Sequence, residues 1–337
     1  MKTMKDVAEL ARVSVSTVSH VMNGTRRVSE ETRGDVLAAV EELSYKPNLL
    51  AKGLKTRRTY TIGLLIPDIQ NSFFTSVVRG VEDVALSCGY HLFLCNTDED
   101  PGREEEYITE LAKKRVDGLM VAPSARRESH FGRLRDEGVP FVFVDRDVEG
   151  VDADVVSVDN RMGMRLIAEH LVGLGHQRIG MISGPLDKAS GYERHLGLRD
   201  ALADLGVELE DSLVRFGDFR TSGGREGAGE LLDLPSPPTA LVTANNQMTL
   251  GALLTVNEMG LDVPGDLSVV GFDDPEWAPL TGPPLTTLAQ PIYEMGVRAA
   301  RMLLEGIEDG PDEESRRVLL EPWLVVREST ARAGGGK

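Results

Sequence analysis

The sequence predicts an α/β protein in two parts, a small all-α helix-turn-helix headpiece and a larger body built on parallel sheets. Two patterns carry that prediction. Residues 3–45 read as three short helices with caps and apolar stripes, and from Thr61 onward short apolar runs alternate with amphipathic stretches. The length of 337 residues suits such a headpiece plus one or two larger units, and 41% hydrophobic residues suffice for proper cores.

Thr3 can cap the first helix, with Asp6 three residues on completing a reciprocal arrangement that satisfies orphan N–H groups. Met4, Val7, Ala8 and Ala11 recur at helical spacing. Ser14 caps a second helix that turns Val18, Val21 and Met22 inward and leaves Val15, Ser16, Thr17, Ser19 and His20 outward or flanking. A third segment, 29–45, opens with Ser29 and two acids and supplies Val36, Val40 and Leu43 to a small core. Three helices in so short a span are the form of a DNA-reading module. On pattern alone, an ordinary three-helix subdomain stands beside that reading.

The body's apolar runs are TIGLLIP, YHLFLCN, DGLMVA, PFVFVD, RIGMISG, ALVTA and SVVGF, each followed by a helical pattern, including 102–114, 160–174, 190–205, 248–260 and 292–307. Buried runs of this kind belong to βαβ units, and two doubly wound sheets place a crevice at the carboxyl ends of their strands.

A formal net charge of −17 argues against nucleic acid until its distribution is read. Residues 1–60 carry 11 Lys/Arg against 7 acids, whereas the rest carries 26 against 47. A basic tip on an acidic body orients a molecule on DNA and keeps the body off it. No apolar run approaches 18 residues and no signal peptide is visible, so a cytoplasmic protein without membrane contact is expected. Cys88 and Cys95 fall in apolar surroundings and are expected to be buried, reduced thiols; His91, His130, His170, His176 and His195 are expected at helix ends or on the surface.

The run MKDVAELARVSVSTVSHVMNGTRRVSEETR, continuing through VLAAVEELSYKPNLLAKGLKTRRTYTIGLLIP, resembles the N-terminus of LacI/GalR-family transcriptional regulators almost residue by residue. That resemblance implies a body like periplasmic sugar-binding proteins, with two lobes joined by three crossovers. The implied organisation is a headpiece over 1–47, a hinge helix and linker over 48–60, a ligand-binding and dimerisation body over 61–330, and a disordered tail over 331–337. Lobe one would take about 61–158 and 290–317, lobe two about 159–288 and 318–328.

The resemblance also assigns roles. Val15, Ser16 and His20 would read bases, and Ser14, Thr17 and Asn23 would touch phosphates; Arg26 would approach a base edge. In the marginal helix NLLAKGL, Leu54 would wedge into the minor groove, Ala51 would let paired helices approach, and Lys55 would make a neighbouring contact. Around the crevice, Phe73, Phe219 and Trp277 would supply aromatic plates, with Arg194, Asp273 and Asn245 as polar partners and Asp145, Arg146 and Ser190 contributing. Asn246 departs from the family's usual Asn-Asp pair and removes a carboxylate; Lys188 and Ser190 do not repeat the arginine and threonine of nucleobase-sensing relatives.

Those residues favour a small sugar over a purine as effector. The implied partners are operator DNA, a small effector and a second copy of the chain, with no cofactor and no metal. A sugar-released repressor dimer is therefore the expectation, with a purine- or metabolite-corepressed regulator as the alternative. An enzyme is disfavoured because no Gly-x-Ser-x-Gly elbow, Walker loop or dinucleotide fingerprint appears.

Overall fold

The computed structural model describes residues 2–23, 26–45, 58–127, 130–310 and 314–334; the side chains of Asn23 and Asp136 are outside the description. The chain forms two compact units, Met1–Thr59 and Tyr60–Lys337.

In the first unit, helices α1 (Met4–Leu10), α2 (Val15–Asn23) and α3 (Glu30–Glu42) enclose a core of Val7, Ala8, Val18, Val36, Ala39 and Tyr45. Thr3 and Asp6 form the expected capping box. Ser14 Oγ accepts from the Thr17 amide at 3.1 Å, and Ser29 caps α3 in the same way through Thr32. Arg12, in the turn between α1 and α2, adopts a left-handed backbone at φ 53°. The hinge segment that includes Ala51, Leu54 and Lys55 lies outside the described residues.

The second unit contains two six-stranded sheets. Sheet one comprises β1 (Thr61–Ile66), β2 (His91–Asn96), β3 (Gly118–Val121), β4 (Phe141–Val144), β5 (Asp154–Val158) and β11 (Arg317–Leu320), in the order β11-β5-β4-β3-β1-β2. All of its pairings are parallel. Sheet two comprises β6 (Ile179–Ser183), β7 (Val214–Phe216), β8 (Ala240–Thr243), β9 (Ser268–Phe272), β10 (Thr286–Ala289) and β12 (Trp323–Val325), ordered β12-β10-β9-β8-β6-β7. Here only β12 runs antiparallel. The inner strands are buried runs, as sheets covered on both faces require, whereas the edge strands β2, β7, β11 and β12 are partly exposed.

Helices α4 (Ser72–Ser87), α5 (Pro101–Lys113), α6 (Phe131–Asp136) and α11 (Ile292–Asp309) cover sheet one. Helices α7 (Asn160–Gly173), α8 (Ala189–Asp204), α9 (Thr221–Leu232) and α10 (Asn246–Glu258) cover sheet two. The chain passes between the sheets after β5, after β10 and after β11.

Four expectations differ from what is observed. Residues 317–320, expected to open the terminal strands of lobe two, pair instead with β5 in sheet one, so the last crossover follows Leu320. Cys88 is exposed and Cys95 half-buried, because one caps the end of α4 and the other lies on edge strand β2. His195 is buried within α8, away from a helix end and from the surface, whereas His130 and His176 stand at helix ends as expected, His130 facing the buried Glu104 at 2.9 Å. The chain expected to be a loose tail is fixed at its start: the Ala331 carbonyl faces His176 Nε2 at 3.0 Å, and the Ala333 amide donates to Leu174 O at 3.0 Å.

Helices α4 and α11 cross at two glycines. A Cβ on Gly80 would lie 2.3 Å from Tyr293 O, and one on Gly296 would lie 2.2 Å from Val77 O. Both contacts are backbone, which cannot swing aside. Gly80→Ala and Gly296→Ala are expected to destabilise the body by about 1–3 kcal/mol through overpacking, although alanine gains about 1 kcal/mol in helix propensity. Urea melts of the two variants against the parent measure this, and a gain in either would place the crossing elsewhere.

Candidate functional site

Parallel strands deliver their carboxyl ends to one edge, and the polar residues collect there. A crevice of about 490 Å³, open solvent at its mouth included, is lined from sheet one by Asn71, Phe73, Glu99, Asp145 and Arg146 and from sheet two by Ser190, Arg194, Phe219, Asn245 and Asp273. Eight of the nine residues expected at a crevice therefore converge. The exception is Trp277, which precedes a short 3-10 turn, Ala278–Leu280, and packs against the core of lobe two. It follows β9, as expected from the sequence, but is not among the residues that line the crevice.

Three lining residues hold left-handed backbone: Asp145 at φ 67°, Phe219 at 62° and Asp273 at 75°. Aspartate tolerates that conformation, whereas for phenylalanine it is an outlier of the kind that clusters at binding sites. Room for the Phe219 ring comes from Gly184, where a Cβ would lie 2.2 Å from the ring.

The polar contacts divide into committed and open groups. Arg146 sends its fork to Glu99 at 2.7 and 2.9 Å, while its Nε donates to Ser190 Oγ at 3.1 Å. Burial works against the Arg146 charge, but the Glu99 carboxylate outweighs it and holds the guanidinium protonated. Glu99 had no sequence signal, since TDED reads as an exposed acidic turn. Asn245 is likewise committed: its amide nitrogen donates to Phe219 O at 2.9 Å and its oxygen caps α10 through the Met248 amide. Asp273 accepts from the Asn246 amide at 3.0 Å and from Gln290 Nε2 at 2.5 Å.

Asp145 and Arg194 remain incompletely paired. Asp145 Oδ2 lies 3.3 Å from Arg146 Nε, yet Oδ1 is buried without a partner. Burial raises its carboxyl, and the neighbouring guanidinium groups only partly offset that. Arg194 donates through Nε to Asn160 Oδ1 and through Nη1 to Ala244 O, both at 2.7 Å, and stacks 3.7 Å above Phe272. Its Nη2 has no hydrogen-bond partner among the described residues, and burial lowers its affinity for the proton.

On α2 of the headpiece, Val15 is 44% exposed and Ser16 is exposed, while Thr17 and His20 are half-buried. Ser14 lies within 2.7 Å of Ser16 Oγ and 2.8 Å of Thr17 Oγ1, so the cap orders the start of the outward face. Arg26 is exposed just beyond. The Asn23 side chain, like Ala51, Leu54 and Lys55, is outside the described residues.

A capped helix-turn-helix unit joined to a two-sheet body with a polar crevice defines a DNA-binding regulator built on a binding-protein frame. Residues 3–48 match the bacterial regulatory proteins of the lacI family, and residues 168–330 match the periplasmic binding protein-like domain. The chain is 40% identical over 330 residues to the ribose operon repressor of Escherichia coli strain K12, spanning 98% of this chain and 100% of that one. It is 37% identical over 330 residues to the HTH-type transcriptional repressor PurR of Photobacterium profundum, spanning 98% of each. Among solved structures, the lac repressor dimer bound to operator and the anti-inducer ONPF shares 30% identity at a TM-score of 0.87, covering 98% of this chain and 99% of that one. The chain belongs to the LacI family of bacterial regulatory proteins. It is a DNA-binding transcriptional regulator, not an enzyme. Among the described residues, no helix is long and apolar enough to cross a membrane.

The Asp145 carboxyl has a definite pH signature. Its folded pKa stands above the unfolded value of about 3.9, so the folded chain binds the proton more tightly, and stability from this group falls as pH rises from about 4 through the raised value. Asp145→Asn is expected to remove that slope and to leave Tm at neutral pH equal to or above the parent's. Asparagine also tolerates the left-handed backbone. Melting curves across the acidic range for parent and variant test it; a variant less stable at neutral than at acidic pH, relative to the parent, would contradict it.

Proposed function

We propose that the protein is a cytoplasmic homodimeric repressor that binds a pseudopalindromic operator and is released by a small uncharged sugar held between the lobes. One recognition helix covers half of an inverted repeat, so a two-fold dimer matches the site. The effector reading rests on the open pair in the crevice. As a carboxylate, Asp145 Oδ1 accepts a hydrogen bond and the Arg194 fork donates one, and a hydroxyl group satisfies both. Phe73 and Phe219 supply the apolar plates for a sugar's C–H faces. Five carboxylates line the crevice (Asp68, Glu99, Asp145, Asp218 and Asp273) against three guanidiniums (Arg146, Arg194 and Arg220), which disfavours a phosphorylated ligand. Asp273 and Ser190 shape the wall, and Asn245 acts by positioning Phe219.

Effector binding would favour one lobe arrangement, alter the spacing of the two Thr61 strand starts in the dimer, and thereby change operator affinity. Linkage then requires the operator to change effector affinity by the same factor.

A thermal-shift screen of pentoses, hexoses, their phosphates and nucleobases tests the class, since ligand at 100 times its Kd stabilises by about 2.7 kcal/mol. An unphosphorylated sugar is expected to raise Tm, and Asp145→Asn to weaken its binding at least about tenfold. A response to nucleobases alone would overturn the sugar reading. In the headpiece, Val15, Ser16 and His20 read bases and Arg26 approaches a base edge, while Ser14, Thr17 and Asn23 contact phosphates. His20→Ala is expected to cost about 1–3 kcal/mol on operator and to relax one base-pair preference. Equal losses on operator and random DNA would remove His20 from base reading.

A further inference from the structure

We infer that Asn246 is a positioning residue that sets how tightly the crevice closes, by linking the Phe73 side of lobe one to Asp273 of lobe two. Asn246 is the first residue of α10, 3% exposed, and does not itself line the crevice. Its backbone amide donates to Asp273 Oδ2 at 3.0 Å. Its side-chain nitrogen crosses between the lobes and donates to Asn71 Oδ1 at 2.8 Å, with Ser72 Oγ at 3.3 Å. Asn71, also buried, caps α4 through the same oxygen, which accepts from the Phe73 amide at 3.0 Å. Three hydrogen bonds thus run from Asp273 to the start of the helix that carries the Phe73 ring.

The chemistry of this link demands an amide at position 246. The Phe73 N–H fixes the Asn71 oxygen toward the junction, so the group opposite must be a donor. Asn246 meets that need, and its own oxygen is left buried without a partner. That orphan acceptor is a cost of closure, and it is tolerated because the nitrogen faces Asn71. An aspartate here would lack the donor, set a carboxylate against the Asn71 oxygen, and add a second negative charge beside Asp273. It would nevertheless suit the start of a helix, where acids are favourable. Asn246→Asp therefore opposes closure while supporting α10 itself.

The opposite lip of the crevice is held differently. Lys188 of lobe two, 6% exposed, donates to Ser124 O and to Glu99 O in lobe one. Its flexible ammonium can follow small lobe movements, whereas the Asn246 amide is short and directional. The Asn246 link is neutral, and its geometry is tied to both walls.

This inference depends on the crevice opening and closing but not on which ligand fills it. Hydrogen exchange on the full-length chain without added ligand reads it directly. Asn246→Asp and Asn246→Ala are both expected to speed exchange of the 69–75 segment in lobe one about tenfold, the worth of one lost hydrogen bond. Exchange of the 250–258 part of α10 is expected to stay at the parent rate in Asn246→Asp. Protection of 69–75 unchanged in both variants would overturn the inference, as would loss confined to lobe two. Calorimetry with D-ribose forms a second arm, in which Asn246→Asp is expected to weaken binding about tenfold. If the parent fails to bind ribose, the ribose expectation falls while the exchange result still decides the link.

Discussion

The pairing of buried Arg146 with Glu99 governs the chemistry of the crevice. A guanidinium fork matches a carboxylate in two parallel bonds, and once it is spent on Glu99 it cannot fully serve Asp145 next to it. Asp145 is left as a buried acceptor with a raised carboxyl, which is the costly condition that a bound hydroxyl would relieve. The same Arg146 touches Ser190 across the lobes and lies over the Phe219 ring at 5.3 Å. Glu99, remote from the other lining residues in sequence, therefore decides which side chains are available at the centre of the protein.

The two lobes solve the same problem with similar means. Each is a parallel sheet whose strand ends supply the crevice, and each has a pair of helices packed so closely that a Cβ would strike backbone: Gly80 with Gly296 in one, Gly224 with Gly251 in the other. Close helix packing makes each lobe stiff. Between the lobes run the three crossovers and a few hydrogen bonds that span the opening. Those bonds include a charged and flexible contact at Lys188, a guanidinium contact from Arg146 to Ser190, and a neutral, directional one at Asn246.

Much of the fold was legible because buried parallel strands advertise themselves as apolar runs. TIGLLI and SVVGF needed no more than composition, whereas TTLA is short and mixed in character and escaped notice, and WLV was expected only through the family resemblance. The headpiece was legible for a different reason, since caps at Thr3, Ser14 and Ser29 are local interactions that sequence displays directly. The crevice was legible at Arg194, Phe219 and Asp273 chiefly through the family resemblance, helped at Asp145 and Asp273 by their place directly after a strand. It failed at Trp277, which is not among the lining residues, and at Glu99, whose partner lies 47 residues away. Asn71 and Asn246 are 175 positions apart, and neither looks unusual alone.

The left-handed backbone at Asp145, Phe219 and Asp273 narrows how this molecule can acquire a new effector. Asparagine or glycine can stand at the two aspartates without backbone cost, but Val, Ile and Thr are excluded there whatever their fit to a ligand. Recognition at those points can change charge and hydrogen bonding but cannot readily gain branched apolar bulk. Variation in ligand preference, whether natural or made in the laboratory for a biosensor, is thereby channelled to positions on regular helix, Phe73, Ser190 and Arg194, where the backbone accepts most side chains.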